Sequence, residues 1–375
     1  MTRKLYIRPI AFADSPQVEE GEAVRLGGAM VWASRFALIV REGARVISRE
    51  RHGAEVMPQV LAGLSADLAG QGHAQWENLR RIHAPLQLAL RGGGTRTIRL
   101  DQPQVMGILN MTPDSFSDGG RFLDNAEVAF EHAAGMLEAG AAIIDIGGES
   151  TRPGAAAVWE GDELARVVPM VERLAAAGAA ISLDTRRAAV MEGGLAAGAQ
   201  IINDVSALRH DPRSRELAAR SGAPVVLMHA PGEGNDLHSD GNYADVLLDV
   251  FDWLGQARDE AVAAGIARER ILLDPGIGFG KTLAENLALM NGLALFHALG
   301  QPILFGASRK RMIGALSNEA PAHQRLGGSV ALALKAVEAG AQIVRVHDVY
   351  DTVQALRVWR GMRDEALTDF RQLPV

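Results

Sequence analysis

Two carboxylates and an amide, Asp184, Asn203 and Asp274, stand at the ends of short apolar runs that read as strands. A lone carboxylate is costly to bury unless donors surround it. Three acceptors on strand ends suit a ligand rich in N–H groups, such as an amino-substituted nitrogen heterocycle. Salt bridges to Arg186 or Arg309 are the structural alternative for any one of them. A second set, Lys310, Arg345 and His347, is cationic and predicts an anionic substrate group near the last two strands. A third set lies in loops. Asn110 opens the stretch NMTPDSFSDGG (110–120), whose carboxylates, Phe116 and paired glycines suit a mobile active-site loop. His229 ends another apolar run and reads equally well as a core histidine.

These groups need elements to hold them. From residue 105 onward, short apolar runs alternate with Ala-rich segments of helical length. The predicted strands are 105–110, 142–147, 180–184, 200–203, 224–228, 271–274, 302–305 and 342–346. Gly140, Gly198 and Gly340 sit where a helix would end in a left-handed residue. Eight strands separated by helices predict an α/β fold, a (β/α)8 barrel, with an open doubly wound sheet as the alternative. Polar or charged residues end every strand. A barrel gathers all its strand ends at one mouth, whereas an open sheet uses only those beside its switch point. The barrel is the reading that uses them all.

Residues 1–100 read as a separate small α+β module, and 101–375 as the barrel domain. The module should contain a strand at 5–10, a hairpin of 31–40 and 44–48, a helix over about 56–70, and a hairpin around Gly92, Gly93 and Gly94. No nucleotide loop or metal cluster marks it, so packing or oligomerisation is its expected role.

Composition narrows the class. The 375-residue chain has a formal net charge of -7 and no Cys. Acidity argues against bulk nucleic acid or an anionic membrane as partner. The absence of Cys excludes disulfides and thiol nucleophiles, and fits a cytoplasmic protein. No apolar run reaches the roughly 18 residues of a membrane span. The run GIGFGKT (276–282) resembles the end of a phosphate-binding P-loop, but Pro275 stands where that motif needs Gly. It reads instead as a tight strand-to-helix turn.

Seven segments together resemble dihydropteroate synthase: NMTPDSFSDGG (110–120), GGESTRPG (147–154), SLDT (182–185), IND (202–204), DPGIGFGK (274–281), SRK (308–310) and RVHD (345–348). The resemblance runs from about residue 105 to 362 and leaves the first 100 residues outside. It implies a pterin-binding barrel that joins 7,8-dihydropterin-6-ylmethyl diphosphate to p-aminobenzoate, with Mg²⁺ as cofactor. Asp184, Asn203, Asp274 and Lys310 fall on the family's pterin contacts, and Asn110 on its Mg²⁺ ligand. Thr151, Arg345 and His347 fall on contacts to the diphosphate or pterin diphosphate. Phe116, Asp118, Arg152 and Pro153 fall on the two loops that complete the p-aminobenzoate site, and the helix after Lys310 is a second candidate anchor for its carboxylate. Asp184, Asp118, Arg152 and Lys310 are the expected catalytic set.

The resemblance also implies a homodimer, while charge and hydropathy predict no nucleic-acid or membrane partner. Ala230 and Pro231 depart from the family after His229. A pterin-binding methyltransferase module of a corrinoid system is the alternative on the same barrel. It has no use for a diphosphate clamp. A non-catalytic scaffold or a Schiff-base aldolase using Lys310 are further alternatives.

Overall fold

The computed structural model describes residues 3–13, 21–112, 126–151, 154–155, 158–232, 236–239 and 241–363. The chain begins with a four-stranded antiparallel sheet of β1 (Arg3–Phe12), β2 (Val24–Arg25), β3 (Trp32–Glu42) and β4 (Arg45–Gly53), in which β3 pairs with the other three. Gly43 takes a positive φ of 59° at the expected β3–β4 turn. The single helix expected near 56–70 is a misreading. Two helices stand there, α1 (Met57–Ala62) and α2 (Ala66–Leu79). Gly63 ends the first, and Ser65, with extended backbone, precedes the second. Gly and Ser are poor interior helix residues, and local propensity outweighed the apolar spacing that runs through them.

A hairpin of β5 (Leu86–Ala89) and β6 (Thr95–Ile98) follows, then the barrel. Its strands alternate with helices: β7 (Gln104–Asn110), α3 (Ala126–Ala139), β8 (Ile143–Gly147), α4 (Glu160–Ala176), β9 (Ile181–Asp184), α5 (Ala188–Ala197), β10 (Ile201–Asp204) and α6 (Ser214–Ser221). The second half is β11 (Val225–Met228), α7 (Val246–Ala263), β12 (Ile271–Asp274), α8 (Leu283–Gly292), β13 (Leu304–Phe305), α9 (Arg311–Leu316), α10 (Leu326–Glu338), β14 (Ile343–Val346) and α11 (Val349–Arg363). All eight strands are parallel neighbours, and a bridge between Leu273 and Ile303 closes the ring. Every predicted barrel strand is present. Gly140, Gly198 and Gly340 have the expected positive φ.

Side-chain alternation makes the barrel interior a stack of layers. The lowest layer is Met106, Ile143, Ala180 (just before β9), Ile201, Val226, Leu272, Leu304 and Ile343, one residue at each strand. Leu86, Leu88, Ile98 and Leu100 belong to the same buried cluster, so the β5–β6 hairpin closes the bottom of the barrel. The N-terminal sheet and α2 share the main core with the barrel, through residues such as Tyr6, Leu79, Phe251 and Phe296. No described helix is long and apolar enough to cross a membrane.

Candidate active site

Two residues above the apolar floor, most of the inward positions become polar. Period-two alternation makes them Ile108, Asp145, Ser182, Asn203, Met228, Asp274, Gly306 and Arg345. One step higher stand Asn110 on β7 and Asp184 on β9. Gly306 leaves room there, since a Cβ at that point would lie 3.7 Å from Arg345 Cβ and 3.9 Å from Asp274 Oδ2.

Arg345 is the hub. Its Nε donates to Asp145 Oδ2 at 2.6 Å, and its Nη2 to Asp184 Oδ2 at 2.6 Å. Asn203 Nδ2 donates to both Asp145 oxygens, at 3.3 and 3.1 Å. Burial opposes charge on Arg345, yet Asp145 and Asp184 outweigh it and hold the guanidinium above its ordinary range. Asp184 is pushed up to about 7, by burial first, against the pull of Arg345 and with Asp145 adding repulsion. The salt bridges weighed for these carboxylates therefore go elsewhere: Arg186 pairs with Glu149, and Arg309 with Asp348.

Asp274 ends β12, where Oδ1 accepts Gly276 N–H at 2.7 Å. Burial raises its pKa, and the Lys310 charge acts against that rise. Burial likewise lowers Lys310, to about 8, with Asp274 opposing. Lys310 Nζ donates to the Ile277 carbonyl and lies 4.5 Å from the Phe279 ring centroid. That turn is held from behind by Lys281, whose Nζ meets His229 Nδ1 (2.9 Å) and donates to Gly276 O (2.8 Å) and Phe279 O (3.0 Å). Lys281 thus holds this turn together. His229 is a core histidine, buried against Trp253 at 4.8 Å between ring centroids.

His347 is tied to Ser308, its N–H at 3.2 Å and Nδ1 at 3.1 Å from the hydroxyl oxygen. Thr151 lies in the loop after β8, and its carbonyl lies 2.6 Å from His238 Nε2. Phe116, Asp118, Arg152 and Pro153 lie outside the described residues. The helix after Lys310, weighed as a carboxylate anchor, is the six-residue α9. Asp145 is the residue that reading strand ends missed. Its signal was present: a single carboxylate inside the apolar run Ile143-Ile144-Asp145-Ile146, in phase with Ile143 on the inner face.

This fold and polar layer define a class. A family model described as pterin binding enzyme matches residues 106–347, which include every element of the site. Dihydropteroate synthase from Neisseria meningitidis serogroup B is 49% identical over 273 residues, 72% of this chain and 96% of the relative. Two solved dihydropteroate synthases superpose on the barrel. The Yersinia pestis enzyme in a sulfonamide drug complex has a TM-score of 0.69 at 49% identity, covering 74% of this chain and 100% of that one. The Xanthomonas albilineans enzyme with 4-aminobenzoic acid has a TM-score of 0.67 at 44% identity, covering 78% and 100%. The chain belongs to the dihydropteroate synthase family, a family of transferases. About 100 N-terminal residues lie outside the match.

Proposed function

We propose that this chain joins 7,8-dihydropterin-6-ylmethyl diphosphate to p-aminobenzoate, forming 7,8-dihydropteroate and diphosphate. The observation that carries the reading is the inward layer in which Arg345 links Asp145 to Asp184, with Asn203 bonded to Asp145. With Asp274 and Lys310 nearby, it offers acceptors to amino and ring N–H groups and a cation to a carbonyl oxygen. The 4-aminobenzoic acid in the Xanthomonas structure supports the second substrate.

In the proposed reaction the C–O bond to diphosphate breaks and its electron pair leaves with the diphosphate oxygen. The dihydropterin ring stabilises the electron-poor methylene by resonance, and Asp184 and the loop residue Asp118 favour its positive charge. The aniline lone pair then forms the C–N bond, and the surplus proton on nitrogen passes to solvent. That amine is already neutral at pH 7, so no strong general base is required. Arg345 keeps Nη1 without a hydrogen bond among the described residues and joins His347 and Thr151 on the diphosphate. Arg152 anchors the distant carboxylate, and Phe116 and Pro153 sandwich the ring. Loop closure excludes water, the competing nucleophile.

Mg²⁺ belongs to the same proposal, with Asn110 as its protein ligand. Among the described residues no group of three His, Cys, Asp or Glu could hold a metal ion. A single amide oxygen at the end of β7 suits an ion that keeps several waters and takes its other ligands from diphosphate. Bound there, it would neutralise charge on the leaving group. A cytoplasmic homodimer completes the proposal. Leu316, Leu326, Tyr350, Val358 and Met362 expose apolar surface on α9–α11, which supports self-association there.

The test is an assay of the purified chain with Mg²⁺, the pterin diphosphate and p-aminobenzoate. Dihydropteroate formation, inhibited competitively by a sulfonamide against p-aminobenzoate, is expected. Binding of the pterin diphosphate without product would overturn the synthase reading.

A further inference from the structure

The N-terminal module has contacts that give it a task. Arg41, near the end of β3, is buried, and its guanidinium reaches out of the module to α7. Nη1 donates to Asp249 Oδ1 at 2.5 Å and Nη2 to Asp252 Oδ2 at 2.6 Å. Asp252 also receives Lys4 Nζ at 2.8 Å and the Tyr6 hydroxyl at 2.9 Å. Asp249 and Asp252 stand three residues apart on one helix face, where like charges repel. Arg41 and Lys4 of the module set positive charge against this pair of carboxylates.

The other oxygen of Asp249 holds the entry to its own helix. Oδ2 accepts the backbone N–H of Ala244 at 2.8 Å and of Asp245 at 3.1 Å, where the loop after β11 enters α7. Earlier in that loop, Gly241 N–H donates to Gly280 O at 3.2 Å. His238 lies still earlier. Its ring stacks on Phe279 at 4.8 Å and 13°, and its Nε2 lies 2.6 Å from Thr151 O. Phe279 in turn carries Lys310. A chain of contacts, charge-assisted at Arg41 and Asp249, therefore connects the module to a loop that touches both the turn at Phe279 and the residue before Arg152.

We infer that the N-terminal module braces the p-aminobenzoate side of the site, with Arg41, Asp249 and His238 as positioning residues. The inference rests on the synthase reading, in which the loop bearing Arg152 and Pro153 serves the aromatic acid, and Thr151, which His238 touches, immediately precedes it. Small displacements of such a wall lose far more in use of that substrate than in overall stability.

The experiment uses the full chain and two readouts: steady-state kinetics for each substrate, and hydrogen exchange over residues 236–245. Arg41→Gln is expected to raise KM for p-aminobenzoate about five-fold or more, with kcat and KM for the pterin diphosphate within about two-fold. Amides at 241–245 should exchange faster while the barrel strands stay protected. Arg41→Lys should recover part of the loss, and His238→Ala added to Arg41→Gln should cost less than the two separate effects combined. Asp249→Asn serves if Arg41→Gln does not fold. Unchanged KM and exchange would overturn the brace, as would equal rises in both KM values. If the unmodified chain makes no dihydropteroate, the synthase reading fails by itself, and exchange still reports on the brace.

Discussion

Asp145 holds Arg345 from beneath the site. Its carboxylate is fully buried, accepts Arg345 Nε at 2.6 Å and receives the Asn203 amide as well. The inward polar layer is thus ordered by a residue that two neighbouring side chains cover. Replacing Asp145 with Asn keeps the volume but sets an N–H against a donor, Arg345 or Asn203. Asp145→Asn is expected to weaken binding of the pterin diphosphate by about 10- to 100-fold, the scale of one hydrogen bond to a charged group. Titration calorimetry measures it, and an affinity unchanged within about two-fold would remove Asp145 from the pocket's support.

The pH dependence of stability follows from Asp184. Unfolded, this carboxyl releases its proton in the ordinary aspartate range; folded, it does so only near 7, because burial disfavours the anion. Between those values the folded state holds the extra proton, so stability falls as pH rises through the window. Above 7 the whole penalty is present. Asp184→Asn should therefore raise the melting temperature more at pH 8 than at pH 5, while abolishing synthesis. Thermal scans at the two pH values test this, and an equal shift at both would refute the linkage.

Much of this was legible in the sequence because barrel strands announce themselves as short apolar runs. Asp184, Asn203 and Asp274 were found by where those runs stop. Asp145 was not, because it lies inside one, and the rule of reading strand ends passes over it. The break at Gly63 was missed for a related reason: apolar spacing carries no record of where backbone propensity interrupts it. Arg345 was read only as an anion binder. That it also holds two carboxylates depends on register between distant strands, which one sequence does not display.

Glycine substitutions should separate backbone demand from propensity. Gly276 has φ 68°, and a Cβ there would lie 1.9 Å from His229 O, a backbone atom that cannot swing aside. Gly276→Ala is expected to cost more than about 3 kcal/mol. Gly135, inside α3, has nothing within 4 Å of its added Cβ, so Gly135→Ala should stabilise by up to about 1 kcal/mol. Chemical denaturation measures both. Equal effects would mean that the turn beyond Asp274 yields more easily than its geometry implies.

The β5–β6 hairpin bears on where the barrel can be cut. Its Leu86, Leu88, Ile98 and Leu100 cover the lowest inward layer, which has a residue at each barrel strand. A chain starting at residue 101 would leave Met106, Ile143, Leu272 and Ile343 facing water at the open base. Apolar burial of that kind is the main term holding a domain together. Such a chain is expected to aggregate or to bind a hydrophobic dye, whatever the sheet at residues 3–53 contributes. Within the full chain, Leu88→Ala should cost about 2–5 kcal/mol, since the residue is 1% exposed and its neighbours are held by the barrel. The two measurements check each other. If the shortened chain is monodisperse and melts with the full one, the hairpin is a dispensable cover, and Leu88→Ala should then be nearly silent.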